Sequence, residues 1–203
     1  MRRSIALVLA ASLFLVMTEH AHAATVDISI VSASAGFDSK VAAGAFGDTF
    51  HWTNNDTIPH TATQNAPLSL WNSGRLSGGS SFSKAINFAG SYPYHCTIHT
   101  SMTGTIKVRI QVTPLSGSVG TTFAVAVASV AAPSGFAHDI QRKKGSGDWT
   151  AWKTGITSKS VTFKPKASGT WSFRSRLRKK STSAKSGWSP ARSISVASGT
   201  SKT

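Results

Sequence analysis

The sequence predicts an all-β protein in two parts. Three observations carry that prediction. Short alternating apolar and polar segments recur along the chain, broken by Gly, Asn, Asp, Ser and Pro, and nothing after the first residues sustains a helical period. Charge divides the chain: residues 24–112 hold five Lys or Arg against four Asp, whereas residues 113–203 hold fifteen against two. The nearly neutral half also contains the only cysteine, Cys96, and the only methionine beyond the N-terminal segment, Met102.

The elements follow in chain order. Residues 1–23 carry Arg2 and Arg3, an apolar run from Ile5 to Met17 and the small-residue exit Ala21-His22-Ala23, the pattern of an export signal cleaved before Ala24. The mature chain is therefore expected to be secreted or to reside in the periplasm or cell envelope. No later stretch approaches the roughly 20 apolar residues of a membrane span. "DTFHWTN" sets Phe50, Trp52 and Asn54 on one face of a strand. In "YPYHC", Tyr92, Tyr94 and Cys96 share a face, so that strand ends with a sulfur directed inward. In "TIKVRIQV", Ile106, Val108, Ile110 and Val112 point one way and Lys107, Arg109 and Gln111 the other. Residues 97–103 form the loop between these two strands.

"VTPLSGSVGTT", residues 112–122, reads as a linker or the opening turn of a second domain, which is placed at 113–198 after a first domain at 24–112. There, "FAVAVASV", "FAHDIQRKK", "SVTFKP" and "TWSFRSRLRKK" are strands at sandwich-like spacing. In the last of these, Trp171, Phe173 and Leu177 are expected to line the core, with Arg174, Arg176 and Arg178 as an outward basic stripe. Residues 199–203 are expected to be a loose tail.

A lone cysteine in an oxidising compartment has no internal disulfide partner, so it is buried, paired with another chain, reactive or bound to a metal. His99 follows Cys96 after two residues and Met102 follows after two more, which lets one tight loop wrap three side chains around a point. Trigonal His₂Cys with a weak axial Met describes a blue-copper electron-transfer site. Zinc more often recruits further Cys or His into a closed tetrahedral set. A second imidazole must come from elsewhere. His51 and His95 alternate with inward-facing residues and are expected to face outward, while His138 lies in the basic half. His60, in "NNDTIPHTATQN", is the remaining candidate.

The stretch "FHWTNNDTIPHTAT" with "WNSGRLSGGSSFSKAINFAGSYPYHCTIHTSMTGTIKV" resembles the plastocyanin/azurin family of cupredoxins. It shows a W-x-N-x-D...H element, an S-G-x-L-x-x-G-x-x-F element and a G-x-Y-x-Y-x-C-x-x-H-x-x-M-x-G-x-I-x-V ending. The short CxxHxxM spacing is most similar to amicyanin. Over residues 25–112 the resemblance implies a Greek-key β-sandwich holding one type 1 copper through His60, Cys96, His99 and Met102. One departure is Ile98, where these relatives usually carry proline. The second half is similar to an immunoglobulin-like, fibronectin type III domain, with a proline-led entry, a W-x-F-R-x-R strand and a W-S-P near the end.

The expected function is that of an exported one-electron carrier, not an enzyme. Its partners are redox proteins met through an apolar rim at Ile58, Pro59 and Ile98, and an anionic cell-wall polymer or lipid surface met by the basic half. Export sets nucleic acid aside as the polyanion. The alternative is a copper-binding or storage protein with no redox circuit, although such carriers more often cluster several Met or His. A copper oxidase is disfavoured because no paired H-x-H histidines occur beyond residue 23, and no GxSxG, HExxH or P-loop pattern is present.

Overall fold

The computed structural model describes residues 23–199. The export segment at 1–23 and the tail at 199–203 therefore lie outside the described residues, apart from Ala23 and Gly199. Among the described residues every regular element is a strand, and no helix is long and apolar enough to cross a membrane.

The first unit contains β1 (Thr25–Ser32), β2 (Gly36–Phe37), β3 (Val41–Ala45), β4 (Thr49–Asn54), β5 (Thr63–Gln64), β6 (Ser81–Ala85), β7 (Gly90–His95) and β8 (Thr103–Arg109). They form two four-stranded sheets, β2-β1-β4-β6 and β3-β8-β7-β5. β1 runs parallel to β4 and β3 parallel to β8, while the other pairs are antiparallel. Alternation in the sequence becomes alternation in burial: Phe50, Trp52 and Asn54 of β4 are buried, as are Tyr92 and Tyr94 of β7. The two inner faces meet in an aromatic core, where Trp52 stands edge-on to Tyr94 with ring centroids 5.5 Å apart. Opposite Tyr94 on β8 is Gly104. A Cβ at Gly104 would overlap the Tyr94 ring, so only glycine lets that ring lie flat across the neighbouring strand.

The second unit comprises β9 (Gln111–Thr113), β10 (Ser116–Ser118), β11 (Phe123–Ala126), β12 (Phe136–Lys144), β13 (Thr150–Ile156), β14 (Ser160–Phe163), β15 (Gly169–Lys179) and β16 (Arg192–Ala197). A three-stranded sheet, β14-β11-β9, packs against a five-stranded one, β10-β16-β15-β12-β13. Phe173 and Leu177 are buried as expected, whereas Trp171 is half-buried at the core margin beneath Arg142 and Lys144.

The apolar cores divide at a different place from the charge. Ile110 and Val112 belong to the second core, because the chain breaks after Arg109 and resumes as β9, which pairs with β11. The boundary expected between Val112 and Thr113 falls inside β9. An unbroken apolar alternation cannot reveal this change of partner, since both cores accept the same side chains.

The units are also joined laterally. Phe46 packs against both cores. Ser91 and Gly187 exchange two backbone hydrogen bonds, at 3.0 and 2.9 Å, and the Ala89 N–H donates to the Val127 carbonyl at 2.8 Å. The second unit thereby covers the part of the β7 edge that the short β5, paired only to Tyr94 and His95, leaves open. Phe88 stacks on His138, which is fully buried with neither ring nitrogen hydrogen-bonded.

Candidate metal centre

His60 is positioned by its loop. Asn54, at the end of β4, donates through its side-chain amide to the carbonyls of Ile58 and Leu76, at 2.8 and 3.0 Å, and accepts the Asp56 N–H at 3.0 Å. The His60 backbone exchanges two further hydrogen bonds with Leu76, at 3.0 and 2.8 Å. These bonds satisfy the polar groups of a turn whose histidine is fully buried. At the outer edge of the ring, Asp56 Oδ2 lies 3.0 Å from Nε2. The carboxylate accepts from Nε2–H, leaving the Nδ1 lone pair directed inward. This hydrogen bond holds the Asp56 carboxyl below its ordinary pKa.

Cys96 follows β7 directly, on the inward face predicted for it, and is fully buried. Its N–H donates to the Met102 carbonyl and the Met102 N–H to the His99 carbonyl, both at 3.0 Å. The loop is thus a closed turn, which ends one residue earlier than expected because β8 begins at Thr103. Two contacts tie it to the His60 loop: the Thr97 N–H donates to Thr61 Oγ1 at 2.8 Å, and the Thr61 N–H donates to Cys96 Sγ at 3.3 Å.

Three donor atoms converge from these two loops. Cys96 Sγ is 3.8 Å from Nδ1 of His60 and 3.8 Å from Nδ1 of His99, and the two nitrogens are 3.1 Å apart. A point equidistant from all three lies about 2.1 Å from each, close to the lengths of imidazole and thiolate bonds to zinc. Two imidazole nitrogens facing each other at 3.1 Å repel unless a proton or cation lies between them. Burial pushes the Cys96 thiol up, but the N–H groups of Thr61 and His99, the His60 ring and the Ile98 N–H outweigh it and lower the pKa to about 6. The thiolate, the form that binds metals, is thereby favoured. One soft thiolate with two imidazoles fits a copper ion.

Met102 is buried in the same apolar core as Cys96 and is held in the same loop. His51 and His95 are directed elsewhere, the first to Ser83 Oγ at 2.7 Å and the second to Asn65 Oδ1 at 2.6 Å. His138 lies in the second unit. Ile58 and Ile98, on the two loops that supply the histidines, are both exposed, and His99 is half-buried between the solvent and Cys96. Sequence reasoning overlooked the pairing of Asp56 with His60, for which the D-x-x-x-H spacing was a signal. The backbone contact from Thr61 to sulfur leaves no side-chain signature.

No family model and no curated protein matches the sequence. Among solved structures, the chain is similar to a purple cupredoxin from Nitrosopumilus maritimus, with 26% identity, a TM-score of 0.38, and coverage of 40% of this chain and 97% of that one. It is also similar to a reduced tryptophan-to-tyrosine mutant of amicyanin, with 25% identity, a TM-score of 0.38, and coverage of 44% and 86%. A reduced Cu(I) form of a proline-to-glycine mutant of amicyanin gives 27% identity, a TM-score of 0.37, and coverage of 43% and 82%.

Proposed function

We propose that this chain is an exported type 1 copper protein that transfers single electrons, with a basic, fibronectin type III-like unit that docks it to an anionic surface. The observation that carries the reading is the convergence of Cys96 Sγ with Nδ1 of His60 and of His99 from two interlocked loops. In this reading His60, Cys96 and His99 would hold copper as the strong ligands and Met102 would offer a weaker thioether donor. Copper held there supplies reversible one-electron exchange between Cu(I) and Cu(II). The hydrogen bonds among Asn54, Leu76, Thr61 and Thr97 hold the donors in one arrangement, so little has to move between oxidation states. The exposed Ile58 and Ile98 beside His99 supply an apolar contact for a redox protein, and encounters of this kind use small interfaces.

The visible spectrum of purified protein after addition of Cu(II) tests the reading. An intense blue band that disappears on reduction and returns on oxidation is expected. Copper held tightly without reversible electron exchange would favour a storage protein, and colourless protein with bound zinc would exclude both.

A further inference from the structure

We propose that the outer face of β12 and β15 is a furrow for an extended phosphodiester polymer of the cell envelope, an inference that rests on the reading of the second unit as an anchor. Arg174, Arg176 and Arg178 alternate along β15 opposite Gln141, Asp139 and Ala137 of β12. They do not project freely as a charge stripe in the sequence suggests. Arg174 donates through Nε and Nη2 to Gln141 Oε1, at 2.9 and 2.6 Å. Arg176 and Arg178 both donate through Nε to Asp139, at 3.4 and 3.2 Å. Two indoles are interleaved with them. The Arg174 guanidinium carbon lies 4.4 Å from the Trp149 ring centroid and 5.0 Å from that of Trp188, and that of Arg176 lies 4.2 Å from Trp188. Lys143 covers Trp149 as well, at 5.4 Å.

This packing orders the side chains without using up their donors. Each guanidinium has five N–H groups, and most of those on the Nη atoms are unused by protein acceptors. Arg176 and Arg178 retain 25% and 23% of their side-chain exposure. Asp139 is the one carboxylate bonded to the array, and even with Asp148 of the adjoining turn the face stays positive against Lys143 and the three arginines. Burial, and after it the neighbouring Arg176, hold the Arg174 pKa below its ordinary value, as expected where cations are crowded.

The geometry selects among polyanions. Alternate residues on a strand recur about every 6.6 Å, so the array matches a linear ligand with one anion per repeat of similar length. The arginine fork grips phosphate oxygens in pairs. Each indole lies within 5.4 Å of two cations, so the rings serve to order the basic side chains along the strand. Half-buried guanidiniums in a row, Arg174 and Arg176 held against indole rings, suit a linear strand better than the flat plane of a bilayer.

The test titrates the full mature chain with soluble poly(glycerol phosphate) at physiological salt and follows tryptophan fluorescence. Arg174→Gln with Arg176→Gln is expected to weaken binding about tenfold or more, and the paired Lys variants, which keep charge but lose the fork, several-fold. Lys164→Gln with Lys166→Gln removes equal charge beyond β14 in the opposite sheet and is expected to shift affinity by no more than about twofold. An unchanged copper spectrum and near-ultraviolet circular dichroism verify that each variant is folded. Equal losses from both Gln pairs would overturn the furrow while leaving a diffuse anchor intact. Competition by inorganic phosphate at matched phosphate concentration, or binding to anionic vesicles in preference to the polymer, would also overturn it. No binding to either polymer or vesicles would remove the anchoring role itself.

Discussion

The Asp56 carboxylate accepts a hydrogen bond from Nε2 of His60 at 3.0 Å, and this single contact sets which nitrogen of the ring faces Cys96. Asp56→Ala is expected to free the ring and lower Cu(II) affinity by about 10- to 100-fold, the usual effect of losing such an outer partner. Asp56→Asn keeps an acceptor and should lose less. Competition titration with a copper chelator measures both.

Substitution of the ligands themselves should give separable signatures. Cys96→Ser is expected to abolish the blue band, because no thiolate remains to bond to copper. Met102→Leu should retain copper and raise the reduction potential, since removal of a thioether donor would disfavour Cu(II). His51→Ala and His95→Ala should leave the spectrum unchanged, as their rings bond Ser83 and Asn65. Loss of copper in His51→Ala but not in His60→Ala would reverse the ligand assignment. Visible spectroscopy and voltammetry of the five variants decide it.

Separation of the units is expected to cost stability without changing the metal site. A fragment of residues 24–112 retains every donor but exposes Ile110 and Val112 and loses the hydrogen bonds from Ser91 to Gly187 and from Ala89 to Val127. At about 0.5–1.5 kcal/mol for each of these three hydrogen bonds and of the two from Ser129 to Asn87, the loss is roughly 3–7 kcal/mol, with a tendency to self-associate through the uncovered edge of β7. Thermal unfolding and light scattering against the mature chain check this, and a fragment ending at Arg109 should associate less.

Acid should weaken the junction of the units through His138. Burial depresses its pKa from 6.5 to about 4, the adjacent Asp139 opposing this only in part. Between those values the unfolded chain binds the proton and the folded chain does not, so this contribution is complete above pH 6.5 and is lost as pH falls toward 4. The total is roughly 3 kcal/mol. Denaturant unfolding across that range should show the slope, and His138→Phe, which keeps a ring against Phe88, should flatten it.

Much of the centre is legible in the chain because its determinants are local. The Cys96, His99 and Met102 spacing lies within one turn, and strand alternation alone directs Cys96 inward and His95 outward. His60 required elimination among the five histidines beyond residue 23, since its approach to Cys96 depends on sheet packing across 36 residues. Asp56 escaped notice although its spacing to His60 is visible, because spacing alone does not distinguish a carboxylate facing solvent from one that receives a buried imidazole.

The strands, the inward sulfur, the soft-donor loop and the separation of charge all follow from backbone periodicity and residue chemistry within short windows. The folded chain adds that Ile110 and Val112 serve the second core, that the basic unit covers the open edge of β7, that Arg174 lies over both Trp149 and Trp188, and that Arg176 lies over Trp188. The physical reason is that alternation specifies which side chains are buried or exposed but not what they meet. Strand pairing and the closure of long connections select the partner.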